Sequence, residues 1–147
     1  MSACTFFGHR DCPEAVRPKL REVLVELIER HGVDRFYVGQ QGTFDAMVRS
    51  VLRELTELYP HISYAVVLER LPGPRNQAVW DFSDTIFPEG LELVPPRFAI
   101  SRRNLWMLKQ ADLVVTYVTH GWGGAAQFGE KARRQKKTVI NLAGPFG

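Results

Sequence analysis

The sequence predicts a three-layer α/β/α sandwich, doubly wound about a mostly parallel sheet of five or six strands. Three observations predict it. Short β-prone apolar runs alternate with longer segments in which apolar residues recur at three- and four-residue steps. The helical segments between successive strands reach about ten residues or more, as right-handed parallel crossovers require. Turn residues, chiefly Gly and Pro, stand where the runs end. With 147 residues, 45% of them hydrophobic, the chain has enough apolar surface for one packed core, so a single domain over 1–147 is expected.

The elements follow in order. Ala3 to Phe7 is a compact β-prone run that breaks at Gly8. Asp11-Cys12-Pro13-Glu14 reads as a helix start, with an acidic cap, an early Pro and Glu in the first turn. Val16, Leu20, Val23, Leu24, Leu27 and Ile28 then mark one helical face, which His31-Gly32 terminates. Arg35 to Val38 is the second strand and Gly39 to Gly42 a tight loop. Phe44, Met47, Val48, Val51, Leu52 and Leu55 trace the second helix, ended by Pro60. Ile62 to Leu68 is near-continuously apolar, which suits a strand covered on both faces. Between Glu69 and Pro96 the prolines permit only a short strand, expected at Leu91 to Val94. Ser101 to Gln110 is the next helix and Leu113 to Val118 a β-branched strand. Gly121-Trp122-Gly123-Gly124 is a turn, a short helix runs from about Ala125 to Gln135, and Thr138 to Leu142 closes the sheet.

Composition removes several function classes. Charged residues at 24% match an ordinary folded surface and argue against disorder. No apolar run approaches the roughly 18 residues that span a bilayer, and MSACTFFGHRDC lacks the layout of a secretory signal. Cys4 and Cys12 are too few for a disulfide framework and have no zinc-ligand companions, so a cytoplasmic location and no metal are expected. The 19 basic and 16 acidic residues leave a charge of only +3. Five basic residues sit in Lys131 to Lys137, where cations offset the dipole at a helix C-terminus. Nucleic acid is therefore an unfavoured partner.

In a doubly wound sheet the ligand crevice lies beyond the carboxyl ends of the strands, where strand order reverses. The loops expected there begin Gly8-His9-Arg10-Asp11, Gly39-Gln40-Gln41-Gly42-Thr43, Glu69-Arg70, Pro95-Pro96-Arg97 and Thr119-His120-Gly121-Trp122-Gly123-Gly124. Glycine admits close backbone approach, and a helix N-terminus offers free N–H groups to a phosphate. Three glycine turns on one edge, beside His9 and Arg10, point to a phosphorylated, nucleotide-like small molecule. Neither GxGxxG nor GxxxxGK[ST] occurs, so hydride transfer and ATP hydrolysis of those types are disfavoured and no cofactor is expected.

Thr5-Phe6-Phe7-Gly8-His9-Arg10 on the first strand, Gly39 to Asp45 after the second, and Arg103-Asn104 before the fifth carry a resemblance to a family. So does Gly123-Gly124-Ala125-Ala126-Gln127-Phe128-Gly129-Glu130, running into Lys131-Ala132 and the closing Lys137-Thr138-Val139-Ile140-Asn141. Together these segments resemble the YpsA-like branch of the SLOG superfamily over nearly the whole chain. The resemblance implies a Rossmann-like fold that binds a nucleotide or a nucleotide-derived ligand, by sensing or sequestering it. Some similar enzymes, related to the cytokinin-activating phosphoribohydrolases, cleave the N-glycosidic bond of a nucleoside monophosphate. Their catalytic Arg and Glu would fall on Arg103 and Glu130, with the carboxylate stabilising an oxocarbenium-like centre or positioning water. Ala126-Gln127 stands where those enzymes carry Gly-Thr, and Trp122 where many carry Pro. Ligand binding is thus the expected function, glycosidic hydrolysis the alternative, and a nucleic-acid accessory role a weaker one.

The candidate ligand-binding set is Gly8, His9 and Arg10; Gly39, Gln40, Gly42, Thr43 and Asp45; Asn104; and Thr119, Gly121, Trp122, Gly123, Gly124, Ala125 and Gln127. Each has a plainer alternative. Arg10 forks onto oxyanions, or pairs with Asp11 or Glu14. Asp45 touches a ribose hydroxyl, or answers the helix dipole. Glu130 is a site carboxylate by its motif, or a solvated one. Trp122 stacks on a base, or forms a lid or subunit contact. His120 is a ligand contact or a strand-end histidine. Cys12, near a helix start, stands where a thiol pKa can fall, but no base adjoins it. Trp80, Asp81, Phe82, Asp84, Ile86 and Phe87 suggest a lid or dimer contact, and a homodimer or larger homo-oligomer is expected.

Overall fold

A computed structural model describes residues 2–70 and 85–144. The elements are β1 (Ser2–Gly8), α1 (Arg17–His31), β2 (Val33–Val38), α2 (Gly42–Leu58), β3 (Ser63–Val67), β4 (Thr85–Ile86), α3 (Pro96–Gln110), β5 (Leu113–Tyr117), α4 (Gly124–Arg134) and β6 (Thr138–Asn141). The six strands form one sheet in the order β4-β3-β2-β1-β5-β6, and every pairing is parallel. This is the expected Rossmann-like α/β architecture.

Alternation along β1 divides the core into two layers. Phe6 packs in a cluster with Leu20, Leu24 and Leu27 of α1 and Phe44, Val48, Val51 and Leu52 of α2. Its neighbour Phe7 points the other way, into Met107 and Leu108 of α3 and Phe128 and Ala132 of α4. The chain winds from β1 out to β4 on one side, then returns past β1 to place β5 and β6 on the other. The order therefore reverses between β1 and β5, paired from Cys4 opposite Leu113 to Gly8 opposite Tyr117.

Four local expectations differ from the structure. The expected strand at Leu91 to Val94 is a single 3-10 turn, Leu91–Leu93, entered through Gly90 at φ +83°. That turn leaves Leu93 exposed, and the fourth strand is instead the two-residue Thr85–Ile86, beside Val66 and Val67. The third helix starts at Pro96 rather than Ser101. Proline suits a first helical position because its missing N–H would have no partner there, so Pro95-Pro96-Arg97 opens a helix instead of forming a loop. The first helix begins at Arg17, after a 3-10 turn at Glu14–Val16. β3 is less enclosed than its composition suggests: Ala65 and Val67 are buried while Tyr64 and Val66 are half-buried, beside the very short β4. Trp80, Asp81, Phe82 and Asp84 lie outside the described residues. Among the described residues, no helix is long and apolar enough to cross a membrane.

Candidate functional site

A cleft of about 610 Å³ opens at the switch point between β1 and β5. Its walls come from the loops after β1 and β5, the start of α2 and the inner side of α3. Of the candidates, Gly8, His9, Arg10, Asp45, Arg103, Asn104, Thr119, Trp122, Gly123, Gly124 and Ala125 line it. Gly39, Gln40, Gly42, Thr43, Gly121, Gln127 and Glu130 do not.

The glycines divide into two kinds. At Gly8 a Cβ would lie 2.2 Å from the Phe44 ring, and at Gly39 it would meet the Arg103 guanidinium at 2.6 Å. At Gly42, whose φ is +79°, a Cβ would lie 2.5 Å from the Arg10 backbone. These three let protein pack on protein. Thr43 works with them: its hydroxyl donates to the Arg10 carbonyl at 2.6 Å and accepts from the Cys12 N–H at 2.7 Å. The α2 start thereby clamps the loop after β1, and Thr43 has no hydroxyl proton left for a ligand. At Gly124, by contrast, a Cβ would meet nothing within 4 Å. Gly123 and Gly124 begin α4, which has no side-chain cap; its first intrahelical bond runs from the Gln127 N–H to the Gly123 carbonyl. The amides before it are the unpaired donors of a helix start, beside open space, where an oxyanion is favoured by both hydrogen bonding and the helix dipole.

Beneath the cleft lies a buried ionic group. Arg103 is 2% exposed. Its guanidinium donates to the Val67 carbonyl at 3.0 Å and to the Asn104 side chain at 2.9 Å, and lies 3.6 Å from Glu69. Asp45 accepts the Gln41 N–H at 2.8 Å, and Gln41 donates its side-chain amide to Glu69 at 3.2 Å. Burial raises the Asp45 carboxyl to about 6; the Gln41 bond and the Arg103 and Arg49 charges only partly oppose it. Burial likewise lowers Arg103 from its ordinary value, against the pull of Asp45 and Glu69. A buried guanidinium so occupied joins the ends of β2 and β3 to α3 and holds the cleft floor.

The mouth is built differently. The His9 backbone N–H reaches the Tyr117 carbonyl at 3.1 Å, and the Thr119 N–H donates to His9 Nε2 at 3.0 Å. This bond assigns the neutral ring's proton to Nδ1. Burial, and then the neighbouring His120, lower the His9 pKa. Arg10 is exposed, with one long contact, 3.4 Å to Gln41.

Arg103 and Glu130 do not come together. Glu130 stands on the solvent side of α4, within 3.9 Å of Arg133 and 3.5 Å of Arg134. Gln127 lies outside as well, in a shallow groove between α3 and α4. The lining also holds Asp11, Gln41, Ile100 and Met107, which are not among the candidates drawn from the sequence, and His120, which the sequence leaves undecided. Gln41, as the extended residue before α2, turns into the cleft where Gln40 does not. Cys12 is no activated thiol: burial, with Glu14 nearby, raises it to about 11.

No family model matches the chain, and no curated protein matches it. Among solved structures it is similar to the X-ray structure of DNA processing protein A (DprA) from Streptococcus pneumoniae, with TM-score 0.68 and 13% identity. The match covers 95% of this chain and 49% of that one. The likeness is one of fold. It supports the Rossmann-like fold and reaches no particular branch of proteins that share it. This chain spans about half the length of that DNA processing protein. With such a neighbour, the expectation against nucleic acid has no support from the comparison.

Proposed function

We propose that the chain is a SLOG-type binding module, close to the YpsA-like branch, that senses or sequesters a nucleotide-derived phosphorylated ligand at the β1–β5 crevice. The observation that carries this reading is the start of α4. Uncapped amides and an unobstructed Gly124 border the same cleft as Arg10, so helix donors and an exposed guanidinium meet around one space. Binding is favoured over N-glycosidic hydrolysis because Glu130, the carboxylate that hydrolysis would use, pairs with its own helix outside the cleft.

A panel of nucleoside monophosphates tests this by thermal shift and by release of free base. At least one should raise the unfolding temperature without base appearing. Arg10→Ala and Gly124→Val should each remove the shift. If both variants keep it, the ligand is on another edge. Base release that Glu130→Gln abolishes would restore the hydrolase reading.

A further inference from the structure

We propose that the outer face of Trp122 is a nucleobase platform, so that the cleft selects a phosphate-bearing nucleoside over a sugar phosphate alone. The inference rests on the binding reading above and adds the part of the ligand that the start of α4 does not address.

Trp122 is 72% exposed and stands between Gly121 and Gly123. An indole so placed has little chain around it to hold its plane, yet this one is held. Its inner face stacks on His120, with ring centroids 3.6 Å apart and planes 18° from parallel. His120 stacks in turn on His9, at 3.8 Å and 13°. His9 is tied at both ends, by its backbone N–H to Tyr117 and by its Nε2 to the Thr119 N–H. The result is a ladder of three rings that begins on the loop after β1, crosses to the loop after β5, and ends on an indole face open to solvent.

His120 adds a second observation. Its Nδ1 is buried without a hydrogen-bond partner. A buried ring nitrogen left unpaired is costly, and the return here is in the ring's two faces, both of which are covered by aromatic planes. His120 serves as a spacer that fixes Trp122.

A fourth flat ring is what such an end accepts. Stacking on an aromatic side chain accepts any base, because every base presents a π-face, and it strengthens with ring area. Trp122 and Gly124 are two residues apart and line the same cleft. A base on the indole and a phosphate at the α4 amides therefore fall within the reach of one nucleotide. Purine ligands should bind more tightly than pyrimidine ones.

Calorimetry with adenosine 5′-monophosphate, cytidine 5′-monophosphate and ribose 5-phosphate tests the platform. The expected order of affinity is adenosine, cytidine, then ribose 5-phosphate. Trp122→Ala should weaken adenosine monophosphate binding by roughly 5- to 150-fold. It should leave ribose 5-phosphate within about twofold, and Trp122→Phe should recover most of the loss. His120→Ala should weaken only the nucleotides, and His120→Phe, another flat ring, should rescue them. Since Trp122 is exposed, its variants keep the fold. Equal affinity for adenosine monophosphate and ribose 5-phosphate, or an unchanged nucleotide affinity in Trp122→Ala, would overturn the platform and leave the phosphate site standing. No binding of any of the three by the unaltered protein would overturn the binding reading itself.

Discussion

Asp45 shows how one residue reports on the state of the cleft floor. Its carboxyl titrates near 6 in the folded chain against an ordinary 3.8, because burial outweighs the Gln41 bond and two nearby arginines. A raised carboxyl pKa means that the folded chain holds the proton more tightly than the unfolded one. The contribution to stability is complete below pH 3.8 and is lost as the pH rises through about 6. His9 acts in the opposite sense. Its lowered pKa contributes stability above its ordinary 6.5, lost as the pH falls through its folded-state value. Asp45→Asn should remove the first effect alone. Relative to that variant, the unaltered protein should lose on the order of 2 to 3 kcal/mol of unfolding free energy between pH 4 and pH 7. Urea titrations at several pH values measure this, and parallel curves for the two proteins would show that Asp45 carries no such shift. The sequence placed Asp45 in the first turn of a helix, where a dipole favours the charged form. Its burial beside Arg103 depends on chain about 60 residues away, which no local pattern encodes.

At the scale of elements, the glycine-rich loops were legible as loops while their purposes were not. Gly8, Gly39 and Gly124 look alike in the sequence, each lying at or near the end of a strand. Contacts separate them: Phe44 lies against the first, Arg103 against the second and open space against the third. Gly8→Ala should therefore destabilise the fold by about 1 to 3 kcal/mol through overpacking against a ring that cannot retreat. Gly124→Ala, at the start of α4, should leave stability within about 0.5 kcal/mol, as for an uncrowded surface change. Chemical denaturation of both variants checks the contrast, and a similar loss in each would erase the distinction. The helices were read from their apolar period, which survives any error of a turn at the ends. The third helix starts earlier because Pro96 initiates a helix where the two prolines read as a loop, and the first starts later because the turn at Glu14–Val16 precedes Arg17. The short β4 escaped detection for a simpler reason: two residues carry no periodicity.

Across the whole molecule, charge is less concentrated than the run Lys131 to Lys137 suggests. Arg133 and Arg134 flank Glu130, and Lys137 donates to the Ala111 carbonyl at 2.5 Å. Of that run Lys131 and Lys136 are left, so nucleic-acid binding through this helix would rest on few cations. Any single-stranded DNA binding should then show a shallow salt dependence, on the order of one to three counterions released. A much steeper slope in a salt titration would point to a wide basic surface and revive the accessory reading. The sequence by itself determined the alternation of strands and helices, hence the parallel α/β fold, and the loops that border the cleft. Both follow from local periodicity and turn residues, which depend on neighbours within a few positions. Only the tertiary structure decided that Arg103 lies beneath the cleft and Glu130 outside it, and that His9, His120 and Trp122 stack as one ladder. Those relations depend on strand order and on contacts between segments more than 100 residues apart, and only the closed sheet brings such segments together.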